Sequence, residues 1–131
     1  MDRRQAECSC GALRVIVAGD PVRISICHCL ACQRRTGSAF GFQARFRREG
    51  SEIAGSSREF VRVSDDGETR RFHFCPECGT TVYYLDDSSP ELIAVAVGAF
   101  GDPSFPAPNF SVWESRKHAW VAAPADVEHE R

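Results

Sequence analysis

Seven cysteines fall into a pair, a triplet and a second pair: Cys8 and Cys10, then Cys27, Cys29 and Cys32, then Cys75 and Cys78. Thiolate sulfur is a soft ligand, and two short knuckles far apart in a chain can supply the four corners of one closed tetrahedral zinc. The three sulfurs left over suit a second zinc with one corner free. A closed site builds a fold, whereas an open one can do chemistry, so the expectation is two zinc ions per chain with different roles.

Cys75-Pro76-Glu77-Cys78-Gly79 has the two-residue gap that lets both sulfurs reach one ion, and Gly79 permits the tight turn that aims backbone N–H groups at them. Cys8-Ser9-Cys10-Gly11 is a tighter knuckle and supplies the other half. An ion held by Cys8, Cys10, Cys75 and Cys78 would tie together most of the chain, and such structural zincs contribute about 10 kcal/mol or more of apparent folding free energy in small systems. The rival use of a CxxC pair, thiol redox exchange, goes with a βαβ surrounding that this sequence lacks.

Cys27-His28-Cys29-Leu30-Ala31-Cys32 places three thiolates within six residues, and no fourth cysteine remains. Either the fourth position is open, or His28 or His73 completes the shell and makes this site structural too; His28, between two ligands, is sterically ill placed for the same ion. For an open site, charge decides the chemistry. A doubly charged cation among three thiolates leaves a negative centre, a weak Lewis acid that is poor at acidifying water and well matched to an incoming thiol. A thiol held as thiolate can add to a carbonyl carbon or leave it, so the expected reaction makes or breaks a carbon–sulfur bond. Arg34 and Arg35 follow directly. Either could offset the anionic site or grip a substrate carboxylate in a bidentate fork, or both could be solvated surface.

The elements that carry these residues read as β structure. Short apolar or alternating runs cover 13–17, 22–26, 40–46, 60–63, 72–74, 82–85 and 92–97. Turn signals separate them, among them Gly19-Asp20-Pro21, Glu49-Gly50-Ser51, Ser64-Asp65-Asp66-Gly67 and Gly101-Asp102-Pro103. The pattern predicts antiparallel hairpins and meanders, with helix confined to a turn over 30–35 behind the triplet. Thr36, Gly37 and Ser38 then turn the chain into the next strand, with Ser38 a candidate substrate contact. Trp113 and Trp120 are expected in the core or a pocket wall. Arg45, Arg47 and Arg48 alternate with Phe46 and are expected to face water, and Asp65, Asp66 and Glu68 to form a solvated hairpin loop.

A length of 131 residues suits one domain. It is expected over 1–122, with 123–131 a frayed polar tail. Sixteen basic against eighteen acidic residues give a formal net charge of -2, so no overall basic field argues for nucleic acid or an anionic membrane as partner. No apolar leader opens the sequence, and the longest apolar run, 92–97, is too short to cross a bilayer, which leads us to expect a cytoplasmic protein. In a reducing compartment cysteines serve metals more readily than disulfides, and an odd number cannot pair off within one chain. Edge strands could support a homodimer, although nothing in the sequence specifies one.

The run Cys27-His28-Cys29-Leu30-Ala31-Cys32-Gln33-Arg34-Arg35-Thr36-Gly37-Ser38-Ala39-Phe40 resembles the glutathione-dependent formaldehyde-activating enzymes, whose domain is shared with centromere protein V. Cys8-Ser9-Cys10-Gly11-Ala12, Phe74-Cys75-Pro76-Glu77-Cys78-Gly79-Thr80, Val97-Gly98, Asp102-Pro103, Glu114-Ser115-Arg116 and Trp120 follow as further landmarks in family order. The resemblance implies a mainly β, zinc-stapled β-tent fold, a structural zinc on Cys8, Cys10, Cys75 and Cys78, and a catalytic-type zinc on Cys27, Cys29 and Cys32. It implies a carbon–sulfur lyase joining formaldehyde to glutathione. One departure stands out: where the family often has a histidine before Glu114, this chain has Phe110 and Ser111, so a polar contact near the site is expected to be absent.

Two further readings stay open beside the lyase. A non-catalytic, zinc-stabilised interaction module needs only the four-cysteine staple. A thiol peroxidase or redox switch would use Cys27, Cys29 and Cys32 without metal and form disulfides among them on oxidation.

Overall fold

Alternating side chains are what divide this chain into two layers. In the computed structural model, which describes residues 2–131, the elements run β1 (Arg3–Glu7), β2 (Arg14–Ala18), β3 (Arg23–Cys27), α1 (Leu30–Thr36), β4 (Gly41–Arg47), β5 (Glu52–Ala54), β6 (Arg58–Val63) and β7 (Thr69–Phe74). They continue with β8 (Thr81–Asp86), β9 (Leu92–Ala96), β10 (Phe110–Val112) and β11 (Glu128–His129), with 3-10 turns at Val97–Phe100 and Glu114–Arg116. A small sheet has the order β1-β2-β5, and a larger one β11-β10-β3-β4-β9-β8-β7-β6.

Directly opposed residues share a face of a sheet, so the register identifies both faces of the larger one. One cross-strand row is Ile24, Ala44, Val95 and Tyr83. These residues are buried in one core with Ala6, Val15 and Val17 of the small sheet. The row beside it is Arg23, Arg45, Ala94, Tyr84 and Phe72. That second face turns away from the small sheet and lines a cavity.

The architecture is mostly β with one seven-residue α-helix among the described residues, in keeping with a β-tent. The strands expected at 13–17, 22–26, 40–46, 60–63, 72–74, 82–85 and 92–97 all form, within two residues at their ends except that β7 starts three residues early, at Thr69. The expectation of purely antiparallel pairing fails at one edge, where β10 runs parallel to both β3 and β11. Nor does the tail fray: Val127 is buried, and the Glu128 and Glu130 N–H groups donate to the Asn109 and Ser111 carbonyls. The chain ties its last residues down through backbone hydrogen bonds that a polar sequence does not advertise. Trp120 is 76% exposed rather than part of a core or pocket wall.

Candidate metal centre

The two distant knuckles meet between the layers. Cys8 and Cys10 follow β1 of the small sheet, and Cys75 and Cys78 sit between β7 and β8 of the large one. Their four Sγ atoms lie within 4.8 Å of one another, with Cys8–Cys10 and Cys10–Cys75 both at 3.6 Å. A tetrahedron with zinc–sulfur bonds of about 2.3 Å has sulfur–sulfur edges of about 3.8 Å, so the quartet fits that ion. Gly11 and Gly79 have φ of 80° and 78°, the left-handed conformation that glycine takes without strain. The turns aim donors at sulfur: the Leu13 N–H reaches Cys8 Sγ at 3.2 Å and the Glu77 N–H reaches Cys75 Sγ at 3.4 Å. Hydrogen bonds from the Thr80 hydroxyl and then its backbone N–H hold the Cys78 thiol down at about 5. Ser9 also binds Thr80, through its N–H at 3.1 Å and its hydroxyl at 3.0 Å.

The triplet forms where β3 runs into α1. Cys29 caps the helix, its Sγ accepting from the Cys32 N–H at 3.3 Å, and Gly37 ends it with φ 64° and an N–H bonded to the Gln33 carbonyl. One helical turn thus returns Cys32 to the end of β3. The Sγ atoms of Cys27, Cys29 and Cys32 lie within 4.8 Å of one another, and no other histidine, cysteine or carboxylate among the described residues joins them at that range. Contacts from Cys27 and then Cys32 bring the Cys29 thiol down to about 2, with Arg62 adding to the effect. The reciprocal contact with Cys29 pushes Cys27 strongly up.

Neither histidine closes the triplet. His73 lies on β7 with Nδ1 2.9 Å from the Ser57 hydroxyl and Nε2 3.1 Å from Glu59. His28 is fully buried and its Nε2 is 2.9 Å from Ser111 Oγ. Ser111 in turn donates to Glu114 Oε2 at 2.6 Å, and the same carboxylate oxygen lies 2.7 Å from His129 Nδ1. Since a carboxylate only accepts, the single hydroxyl proton of Ser111 is committed to Glu114, and His28 must donate through Nε2–H. Burial lowers the His28 pKa, which favours the neutral ring, and the hydrogen bond to Ser111 selects its Nε2–H tautomer. Ser111 at the point of departure from the family pattern therefore supplies a polar contact beside the triplet, where none was expected. Gln33, another residue that spacing alone did not single out, donates from Nε2 to the His28 and Arg116 carbonyls at 2.8 and 3.0 Å.

The triplet opens on a cavity of about 430 Å3 on the outer face of the large sheet. Cys27, Cys29 and Cys32 line it, as do Arg34 and Arg35; Ser38 does not, being exposed with its N–H turned to the Thr36 hydroxyl. Arg45, expected to face water, is half-buried in the cavity wall. Its face of the sheet is indeed the polar one, but that face is concave. The loop expected to be solvated also contributes, with Ser64 donating to Asp66, and Arg70 bonded to Ser64 at 3.2 Å and reaching Asp66 at 3.5 Å. Trp113 lines the wall with φ 57°, the one non-glycine residue with positive φ among those described.

Residues 3–116 match the family model described as glutathione-dependent formaldehyde-activating enzyme. No curated protein matches the sequence. A crystal structure of a Rhodobacter sphaeroides protein is similar, with a TM-score of 0.57 and 22% identity over 78% of this chain and 90% of the other, which is a likeness of fold.

Proposed function

Because this chain belongs to the glutathione-dependent formaldehyde-activating enzyme family, we propose that it is a zinc-dependent enzyme of the carbon–sulfur lyase type. It would make or break the bond between a small, glutathione-like thiol and a formaldehyde-like aldehyde. The observation that carries the reading is the contrast between the clusters: four sulfurs close on one another between the layers, whereas three sulfurs without a fourth ligand face a cavity. Cys8, Cys10, Cys75 and Cys78 would hold a structural zinc, and Cys27, Cys29 and Cys32 a second one. When bound at the triplet, zinc supplies an exchangeable position that keeps an incoming thiol deprotonated at neutral pH.

The rest of the work falls to the chain. In the synthetic direction the thiol sulfur bonds to the carbonyl carbon, the carbon–oxygen π bond opens, and the thiol proton ends on the new hydroxyl; the reverse releases both partners. Arg62 and Arg35 favour the charged forms of Cys29 and Cys32 and so offset the negative charge of three thiolates. His28 is engaged with Ser111 and His73 with Ser57 and Glu59, so water carries the proton in this scheme. A cytoplasmic location is part of the same proposal, supported by cysteine usage, since thiols serve metals more readily than disulfides in a reducing compartment.

Zinc content per chain, measured for the native protein and for a Cys27/Cys29/Cys32→Ser variant, tests the metal half of the proposal. Two ions falling to one with the circular dichroism unchanged is the expected result. Consumption of 13C-formaldehyde with a panel of thiols, followed by NMR, tests the chemistry. Two bound zincs with no thiol-dependent turnover would instead favour an interaction module, a reading that finds support in the exposed Phe60, Val61 and Val63 on the edge strand β6.

A further inference from the structure

The strand β6 ends the large sheet, and its six residues pair with β7 on one side only. The Ser64 N–H donates to the Glu68 carbonyl at 2.9 Å, continuing the register that sets Val63 opposite Thr69 and Arg62 opposite Arg70. Bonded and non-bonded pairs alternate along an antiparallel ladder. Arg58, Phe60 and Arg62 therefore direct their backbone groups at β7, whereas the N–H and C=O groups of Glu59, Val61 and Val63 point to the open edge. Such an edge is a template for another strand, and proteins blunt it by keeping it short, bulged or covered. The other terminal strands, β1, β5 and β11, span five, three and two residues, so β6 is the longest, and its register with β7 is unbroken. It also leaves Phe60, Val61 and Val63 exposed by 58%, 44% and 65%.

The side chains of β6 select what can pair there. Opposed residues of antiparallel strands share a face, so a second copy of β6 related by a two-fold axis must be centred on one of its own residues. An axis at Phe60 sets Arg58 opposite the partner's Arg62, and axes at Arg58, Glu59 or Arg62 set each of those charges opposite its own copy. Like charges directly opposed destabilise a sheet. An axis at Val63 sets 58–62 against the partner's turn rather than its strand. Only an axis at Val61 is free of these faults: Val61 meets the partner's Val61, Phe60 the partner's Arg62, Glu59 the partner's Val63 and Arg58 the partner's Ser64. The outward backbone groups of 59, 61 and 63 then fall in bonded pairs. In addition, Arg58, exposed and without a carboxylate partner among the described residues, comes beside the partner's Asp65, which is exposed and lacks a cationic one.

We propose that this chain forms a two-fold homodimer by antiparallel pairing of β6 with β6 of a second copy, centred on Val61, so that one sheet runs through both. Phe60 opposes Phe72 on the face that carries the triplet cavity, and Arg62 and Asp65 line that cavity. The second copy therefore adds to the cavity rim, its Phe60 against Arg62, whose guanidinium already lies 5.3 Å from the Phe72 ring, and its Arg58 beside Asp65. The inference goes beyond the chemistry proposed for the triplet and does not depend on it.

Sedimentation equilibrium of the zinc-loaded full chain, from about 1 µM to about 500 µM, should show monomer passing to dimer, since an interface of this small size binds weakly. Val61→Lys and Val61→Glu each set like charges opposite one another at the axis and should raise the dissociation constant about tenfold or more. Mixed in equal amounts, the two variants should form a heterodimer within about threefold of the native affinity, because an axis at Val61 brings position 61 of one copy against position 61 of the other. Val61 is exposed and opposes Arg71 within its own chain, so Val61→Glu in particular should keep its fold, and circular dichroism and zinc content check both variants. A monomer across the whole range would overturn the proposal and leave the edge to a strand of another protein. So would a dimer that survives both substitutions, or two folded, monomeric variants that stay apart when mixed.

Discussion

Replacing Ser111 with alanine should cost the protein about 3 kcal/mol, a large effect for deletion of one oxygen atom. Ser111 is fully buried and bridges His28 Nε2 at 2.9 Å and Glu114 Oε2 at 2.6 Å. Alanine leaves the His28 Nε2–H buried without an acceptor. The opposite ring nitrogen already has no partner, so the imidazole would lose its one side-chain hydrogen bond. An orphaned buried donor costs about 1–3 kcal/mol, and loss of the charge-assisted bond to Glu114 adds about 1.5 kcal/mol, moderated by the contact Glu114 keeps with His129. For a chain of this length, about 3 kcal/mol corresponds to a fall of about 10 °C in Tm. Scanning calorimetry of native and variant proteins, both saturated with zinc, measures it, and long-range 15N NMR of the histidines reports whether His28 carries its proton on Nε2. A fall of less than about 2 °C, or a native His28 protonated on Nδ1, would refute the assignment of donor and acceptor along this network.

Other expectations follow from the same coordinates. Cys75→Ser or Cys8→Ser should leave the chain largely unfolded at 25 °C by circular dichroism, since about 10 kcal/mol of metal-linked stability is comparable with the whole stability of a domain, whereas the triple serine variant of Cys27, Cys29 and Cys32 should stay folded. Gly55→Ala should lower stability by about 3 kcal/mol or more in urea unfolding, because φ is 95° there and an added Cβ would stand 1.9 Å from the Ala12 carbonyl oxygen. Asp86 is held below its usual value of 3.8 because hydrogen bonds from Ser88 and the charge of Arg70 outweigh burial. A depressed carboxyl stabilises the fold above its unfolded pKa and loses that contribution as pH falls through its folded value, so the Tm gap between native protein and Asp86→Asn should close as pH drops below about 4. A gap that widens in acid would contradict the pairing of Asp86 with Arg70.

The cysteine clusters were legible in the sequence because sulfur spacing is local chemistry: CxC, CxxC and a six-residue triplet each state which atoms can share an ion. The central strands were legible for the same reason, as alternation such as Arg45, Phe46, Arg47 is a property of neighbours. What alternation does not report is the curvature of a face. Arg45 belongs to the polar side of its strand, yet the sheet wraps that side into a cavity with strands that come about fifteen to forty residues later. The strand Arg3–Glu7 has one buried residue, Ala6, and its polar side chains give no periodic signal. The strands β10 and β11 are three and two residues long and owe their existence to backbone bonds with β3 and with each other, which no short window encodes. Ser111 and Glu114 acquire their roles only when that edge forms.

The two cysteine clusters also differ in when they can exist during synthesis. Cys27, Cys29 and Cys32 lie within six residues, so a chain still being made can offer all three sulfurs as soon as that stretch is exposed. The quartet joins position 8 to position 78, and its geometry depends on both layers being in contact. Closing so long a loop is paid in chain entropy before any contact rewards it. A ribosome must therefore deliver more than half of the sequence before the four sulfurs of the quartet can meet, so any ion they share would be bound late, whereas the three sulfurs of the triplet could be offered to one from the outset.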